Sequence, residues 1–166
     1  LHGLGIAHCP TLFSQLFTAY RDAGRHYHGT QHVAECLALL TKFRRLAIRP
    51  CENEMAIWFH DAVYDTHQSD NEEQSANCAC EFLTRMNVAK EIRDRVITMI
   101  LATKHHESAD SDAALVADID LSILSAPSPV FDRYDAAIRQ EYQWVPEPDY
   151  RQARAKALSA FVKRFC

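Results

Sequence analysis

The sequence predicts an all-α, single-domain helical bundle, and three observations carry that prediction. Apolar residues recur at three- and four-residue spacing in one window after another along the chain, the signature of helices with a buried face. No stretch alternates apolar and polar residues with the period of two that marks a half-buried strand. Glycine is scarce, with 4 in 166 residues, and the Pro, Gly and Ser breaks between periodic segments are short, so no linker divides the chain. A chain of this length forms one domain with a sizeable core.

Residues 1–10 read as irregular, with Gly3, Gly5 and Pro10. Leu12, Phe13, Leu16, Phe17 and Tyr20 make the apolar face of a first helix, with Thr11 as its N-cap and Gly24 as its stop. A polar, histidine-dense segment, Arg25 to His32, leads into a second helix over about Thr30–Leu46, with Val33, Cys36, Leu37, Leu40 and Phe43 at helical spacing. A third, from about Glu52, carries Met55, Ala56, Trp58 and Phe59 and ends at His60-Asp61. Residues 65–71 form a polar loop. Helices follow over about Asn71–Met86 and Ala89–Thr103, the second ending at Lys104-His105-His106. A loop at Ser108–Asp112 precedes a short helix through Leu115, Val116, Ile119 and Ile123. The Ser125–Pro129 break and Pro146 and Pro148 then delimit two last helices, about Val130–Gln143 and Asp149–Arg164.

Composition narrows the partners. Hydrophobic residues make up 48% and charged residues 24%, as in globular proteins. A net charge of -4 offers no basic stripe for a nucleic-acid polymer. No apolar run approaches the roughly 20 residues of a membrane span, and the first ten residues lack the pattern of a signal peptide. Six cysteines without a C-x-x-C pair, mostly inside apolar helical patterns, read as free thiols in a reducing cytoplasm. Exposed parts of the last two helices could support a homodimer.

The chemistry concentrates in four places. His60-Asp61 emerges from the bulky Met55–Phe59 stretch, where burying an imidazole and a carboxylate without partners is costly. His28 and His32 are spaced i, i+4, so on a helix they share one face, and can be two ligands, or one ligand and one proton donor. Asp118 and Asp120 lie in an apolar stretch and point in different directions, so at most one is a direct ligand. Glu72 and Glu73 open a helix, where first-turn acids are expected on electrostatic grounds alone. Lys104-His105-His106 sits at a helix C-terminus, where the dipole favours cations without any ligand role. Imidazoles and carboxylates together suit a divalent ion: Mn, Fe, Co, Ni, Zn or, less well, Mg.

An early His, a His-Asp doublet and a late Asp on helices resemble the HD-domain superfamily of metal-dependent phosphohydrolases, over about residues 20–145. Tyr27-His28-Gly29-Thr30-Gln31-His32 is similar to the Tyr-His-x-x-x-His element of the cyclic nucleotide phosphodiesterases in that superfamily. Trp58 to Asp65, Asn71 to Ala76, Thr103 to His106, Asp120 to Leu124 and Ile138 to Tyr142 match the motifs of one small bacterial group of predicted phosphohydrolases. Ser125 departs from it, where Gly is usual.

The resemblance implies that His32, His60, Asp61 and Asp120 hold the metal and that His28 is the general acid. It favours Asp120 over Asp118. On this reading the ion activates a water for attack on phosphorus, and Glu72 accepts a proton or holds a second water. Arg25 and Lys104 are candidate anchors for a small phosphorylated substrate such as a nucleotide. Two other readings are an HD-type di-iron oxygenase, which needs two further histidines from separate places, and a non-catalytic metal- or nucleotide-binding module.

Overall fold

A computed structural model describes residues 10–106 and 108–165, with side chains described over 13–106 and 108–162. Within them the chain is all helical, with no strand: α1 (Pro10–Ala19), α2 (Thr30–Lys42), α3 (Pro50–Phe59), α4 (Asn71–Arg85), α5 (Lys90–His105), α6 (Ser111–Asp120), α7 (Ser128–Glu141) and α8 (Glu147–Phe165), with 3-10 turns at Arg44–Leu46 and Leu121–Ser125. Residues 1–9 lie outside the described residues.

The eight expected helices are present, and the differences lie at their ends. Thr11 is inside α1, not at its cap. α2 stops at Lys42, and Arg44–Leu46 tightens into a separate turn. α3 starts at Pro50, which occupies the first helical turn, where its missing N–H costs no hydrogen bond. α6 starts at Ser111 because Asp110 caps it, accepting from the backbone N–H groups of Asp112 and Ala113.

α5 is the central element and packs on α3, α4 and α6. Its buried face, Val96, Met99 and Ile100, meets Met55 and Ile57 of α3, Leu83 of α4 and Val116 of α6 in one core, with these side chains at most 1% exposed. A fully buried aliphatic side chain of this kind contributes about 1.5–3 kcal/mol. No single helix among the described residues is long and apolar enough to cross a membrane; Ser111–Ser125 and Ser128–Glu141 pass by length and composition only as a pair bent by 107°.

Polar ties fix α3, the helix that delivers His60-Asp61. Asp112 is fully buried and accepts from the backbone N–H groups of Ile48 (2.8 Å) and Arg49 (3.1 Å) and from Arg49 Nη1 (3.0 Å). Asn53 Nδ2 donates to the Asp112 carbonyl at 3.0 Å. Glu52 takes a bidentate pair from Arg95, both contacts 2.7 Å, which joins α3 to α5. At the other end, Tyr20 Oη donates to the Trp58 carbonyl at 3.1 Å.

Candidate metal centre

His60 follows the last residue of α3 and Asp61 begins the turn after it, so these neighbours leave the helix together and converge. The turn is held from two sides. Arg25 donates to the carbonyls of His28 (3.1 Å), Asp61 (2.6 Å) and Ala62 (3.1 Å). Ser75 of α4 accepts from the Val63 N–H at 3.0 Å and donates to the Val63 carbonyl at 3.2 Å.

The doublet meets His32 of α2 and Asp120 of α6. His32 Nε2 lies 3.1 Å from His60 Nε2, 3.1 Å from Asp120 Oδ1 and 3.7 Å from Asp61 Oδ2. His60 Nε2 lies 3.1 Å from Asp61 Oδ2 and 3.6 Å from Asp120 Oδ1. His60 Nδ1 is 2.8 Å from the Ile57 carbonyl, which can only accept, so Nδ1 carries a proton and Nε2 faces the cluster. His32, His60 and Asp61 bring donor atoms within 4.8 Å of one another, as do His32, Cys36 and Asp120, and each trio could hold a metal ion. Asp61 Oδ2 is buried, and its 3.1 Å approach to His60 Nε2 is an ion-pair contact without hydrogen-bond geometry. Two facing imidazole nitrogens and two carboxylates fit a divalent cation.

The electrostatics agree. Burial disfavours the His60 cation, yet Asp61 and Asp120 raise its pKa well above the ordinary value. Burial would raise the Asp61 and Asp120 carboxyls, but His60 holds the first down and His106, His32 and His60 hold the second well below its usual range. The cluster stabilises positive charge at its centre. Burial pushes the Cys36 thiol up, with Asp120 and Asp61 adding to it.

A cavity of about 280 Å³ opens over the cluster, and His28, Asp61, Tyr64, Glu72, Lys104, His106, Asp120 and Tyr142 are among the residues that line it. Glu72 lies on the wall of this cavity, 3.9 Å from Lys104 Nζ. Asp120, not Asp118, reaches the cluster; Asp118 is exposed and lines a separate apolar groove. His28 precedes α2 rather than sharing a helix face with His32, although their rings are only 5.8 Å apart.

Arg25 is a correction to the expected phosphate anchors. Its guanidinium is committed to three carbonyls and it lines a different cavity, so it positions the Asp61 turn instead. Lys104 lines the right cavity, with Nζ donating to Glu73 (2.5 Å) and to the Ser69 carbonyl (2.8 Å). His106 ends α5 in the left-handed region (φ 55°), which turns its ring to Asp120 Oδ2 at 3.1 Å, whereas His105 is exposed.

Glu141 lies in the Ile138–Tyr142 motif, but the sequence assigned it no role. Its buried carboxylate accepts from the N–H groups of Tyr27 (2.6 Å) and His28 (2.9 Å), contacts His28 Nδ1 at 2.7 Å and accepts from Tyr64 Oη at 2.8 Å. Burial would raise its pKa, but these partners, His28 foremost, lower it to about 2. Burial likewise opposes a charged His28, yet the Glu141 hydrogen bond and the Asp61 charge raise its pKa. Two signals pointed to it: its place in the Ile138–Tyr142 motif, and an acid three residues after Ile138 on the buried face of α7.

Comparison of the chain with protein-family models, with curated proteins and with solved structures finds no match. Fold and site together define an all-α protein with a candidate His/Asp/Cys metal centre under a polar cavity.

Proposed function

We propose that the chain is a metal-dependent phosphohydrolase of the HD type, acting on a small phosphoester, nucleotides included. The observation that supports this most is the placement of a proton donor beside the candidate metal centre. His28, its Nδ1 engaged by Glu141, and the His32–His60–Asp61–Asp120 cluster line or underlie one cavity.

His32, His60, Asp61 and Asp120 would hold the ion. A divalent ion supplies Lewis acidity there, polarising a phosphoryl oxygen and acidifying water. Glu141 fixes the His28 ring through Nδ1 and favours its protonated form, leaving Nε2 to give a proton to the leaving oxygen. Glu72 lines the cavity as an acceptor for the proton of the attacking water. Lys104 is a cation of the cavity wall and attracts the substrate phosphate, with Glu73 holding its ammonium group in place. The oxygenase reading wants two more imidazoles at the centre, and only His106 of the adjacent pair contacts it.

The test is a panel of phosphomono- and phosphodiesters assayed with Mn, Co or Mg and again with chelator. Chelator-sensitive turnover, abolished in Asp61→Ala with the helical circular dichroism retained, is the expected result. No turnover of any ester with any of these ions would defeat the proposal. Metal binding without turnover would favour the non-catalytic module.

A further inference from the structure

One wall of the cavity over the cluster is an aromatic ring that has no part in the proton transfer described so far. Tyr64 stands three residues after Asp61, directly after Val63, whose N–H and carbonyl are both held by Ser75. It lines the cavity together with His28. Its ring stacks on the His28 imidazole, with centroids 4.3 Å apart and planes 30° from parallel. Its Oη donates at 2.8 Å to Glu141 Oε2, the same oxygen that meets His28 Nδ1 at 2.7 Å. The other carboxylate oxygen is taken by the N–H groups of Tyr27 and His28, so the acceptor that carries both side chains is itself held. The Arg25 guanidinium lies over the Tyr64 ring, 5.4 Å from its centre, and fixes it further. A hydrogen bond at Nδ1 pins one point of an imidazole and leaves the ring free to turn, because the torsion next to a flat ring is broad. A second ring against its face removes that freedom. Burial, with the Glu141 charge adding to it, raises the Tyr64 pKa, so the hydroxyl stays a donor.

We propose that Tyr64 is the positioning residue of the general acid: its ring face sets the plane of the His28 imidazole and with it the direction of Nε2. This rests on the phosphohydrolase reading. In the step it serves, the oxygen of the attacking water bonds to phosphorus as the ester P–O bond breaks, and Glu72 takes the proton of the water. The electron pair of the broken bond stays on the leaving oxygen, which takes the proton from His28 Nε2. Tilting the ring moves Nε2 off the line to that oxygen and slows only those departures that need the proton.

The experiment compares phenyl and 4-nitrophenyl esters, each as phosphomonoester and as methyl phosphodiester, turned over by the full chain with Mn or Co. Phenolate needs a proton to leave, whereas 4-nitrophenolate leaves as the anion. Tyr64→Leu removes the stack and is expected to lose about 100-fold in kcat on the phenyl esters but less than about threefold on the 4-nitrophenyl esters, with KM held on both. Tyr64→Phe keeps the ring and recovers most of the phenyl rate, and His28→Gln shows the same selectivity as Tyr64→Leu. Proton magnetic resonance gives a readout without turnover. The His28 ring protons lie upfield under the aromatic face in the natural chain and in Tyr64→Phe, and move downfield in Tyr64→Leu. Selective loss in His28→Gln, with equal loss or no loss on the two esters in Tyr64→Leu, overturns the proposal and leaves the general acid standing. His28 ring protons without an upfield shift in the natural chain overturn it in the same way. Equal loss on both esters in His28→Gln, or no turnover of any ester by the natural chain, removes the general acid and this proposal with it.

Discussion

Replacing Glu141 by Gln keeps the shape of the side chain and removes its charge. The carboxylate is fully buried and receives two backbone N–H groups, the His28 ring and the Tyr64 hydroxyl. Its pKa falls from 4.5 to about 2, a shift worth about 3 kcal/mol. Hydrogen bonds to a charged acceptor contribute about 1.5–3 kcal/mol each. An amide keeps one acceptor, so the expected loss is about 2–3 kcal/mol, or a Tm lower by about 5–10 °C for a chain of this size.

The pH dependence has a definite sign. The Glu141 pKa is depressed, so its stabilisation is complete above 4.5 and is lost as pH falls through about 2. The His28 pKa is raised, so its share is complete below 6.5 and is lost as pH rises through its higher folded value. The gap between the two proteins is therefore widest between these limits. Urea unfolding in chelator at about pH 5.5, pH 3 and pH 9 measures it. A gap below about 1 kcal/mol at pH 5.5, or one that stays constant at all three pH values, would refute the assignment.

Asp61→Asn is expected to lower metal affinity by about 100-fold or more and to remove the Tm rise on adding metal; an unchanged rise would show that Asp61 is not a ligand. Asp112→Ala leaves two backbone N–H groups and Arg49 without their acceptor and should cost about 3 kcal/mol or more. Asp112 lies about 12 Å along α6 from Asp120, so metal affinity measured by titration should not change. Arg25→Lys replaces a fork that reaches three carbonyls with a point charge, at about 1–3 kcal/mol. It should lower kcat and metal affinity with KM little changed, whereas a rise in KM alone would restore Arg25 as a phosphate anchor.

The helices and the four central donors were legible because their signals are local or ordered. Apolar spacing marks each helix, and His32, His60-Asp61 and Asp120 follow one another in the order of the pattern they resemble. Glu141 stood in the Ile138–Tyr142 motif, but its role was hidden because it exists only through His28, 113 residues away. Arg25 misled for a different reason: the same guanidinium fork suits phosphate oxygens and backbone carbonyls, and only the folded turn decides between them.

The four central donors come from α2, the turn after α3 and the end of α6, and the chain between them is long: 28 residues from His32 to His60 and 59 from Asp61 to Asp120. An ion held by all of them would staple the ends of those segments as a disulfide does. By chain entropy alone, closing loops of such lengths in the unfolded ensemble is worth about 4 kcal/mol each. Loading would then change which parts of the molecule open together. Amide hydrogens at the ends of α2, α3 and α6 would exchange one segment at a time in the metal-free protein and as a single unit in the loaded one.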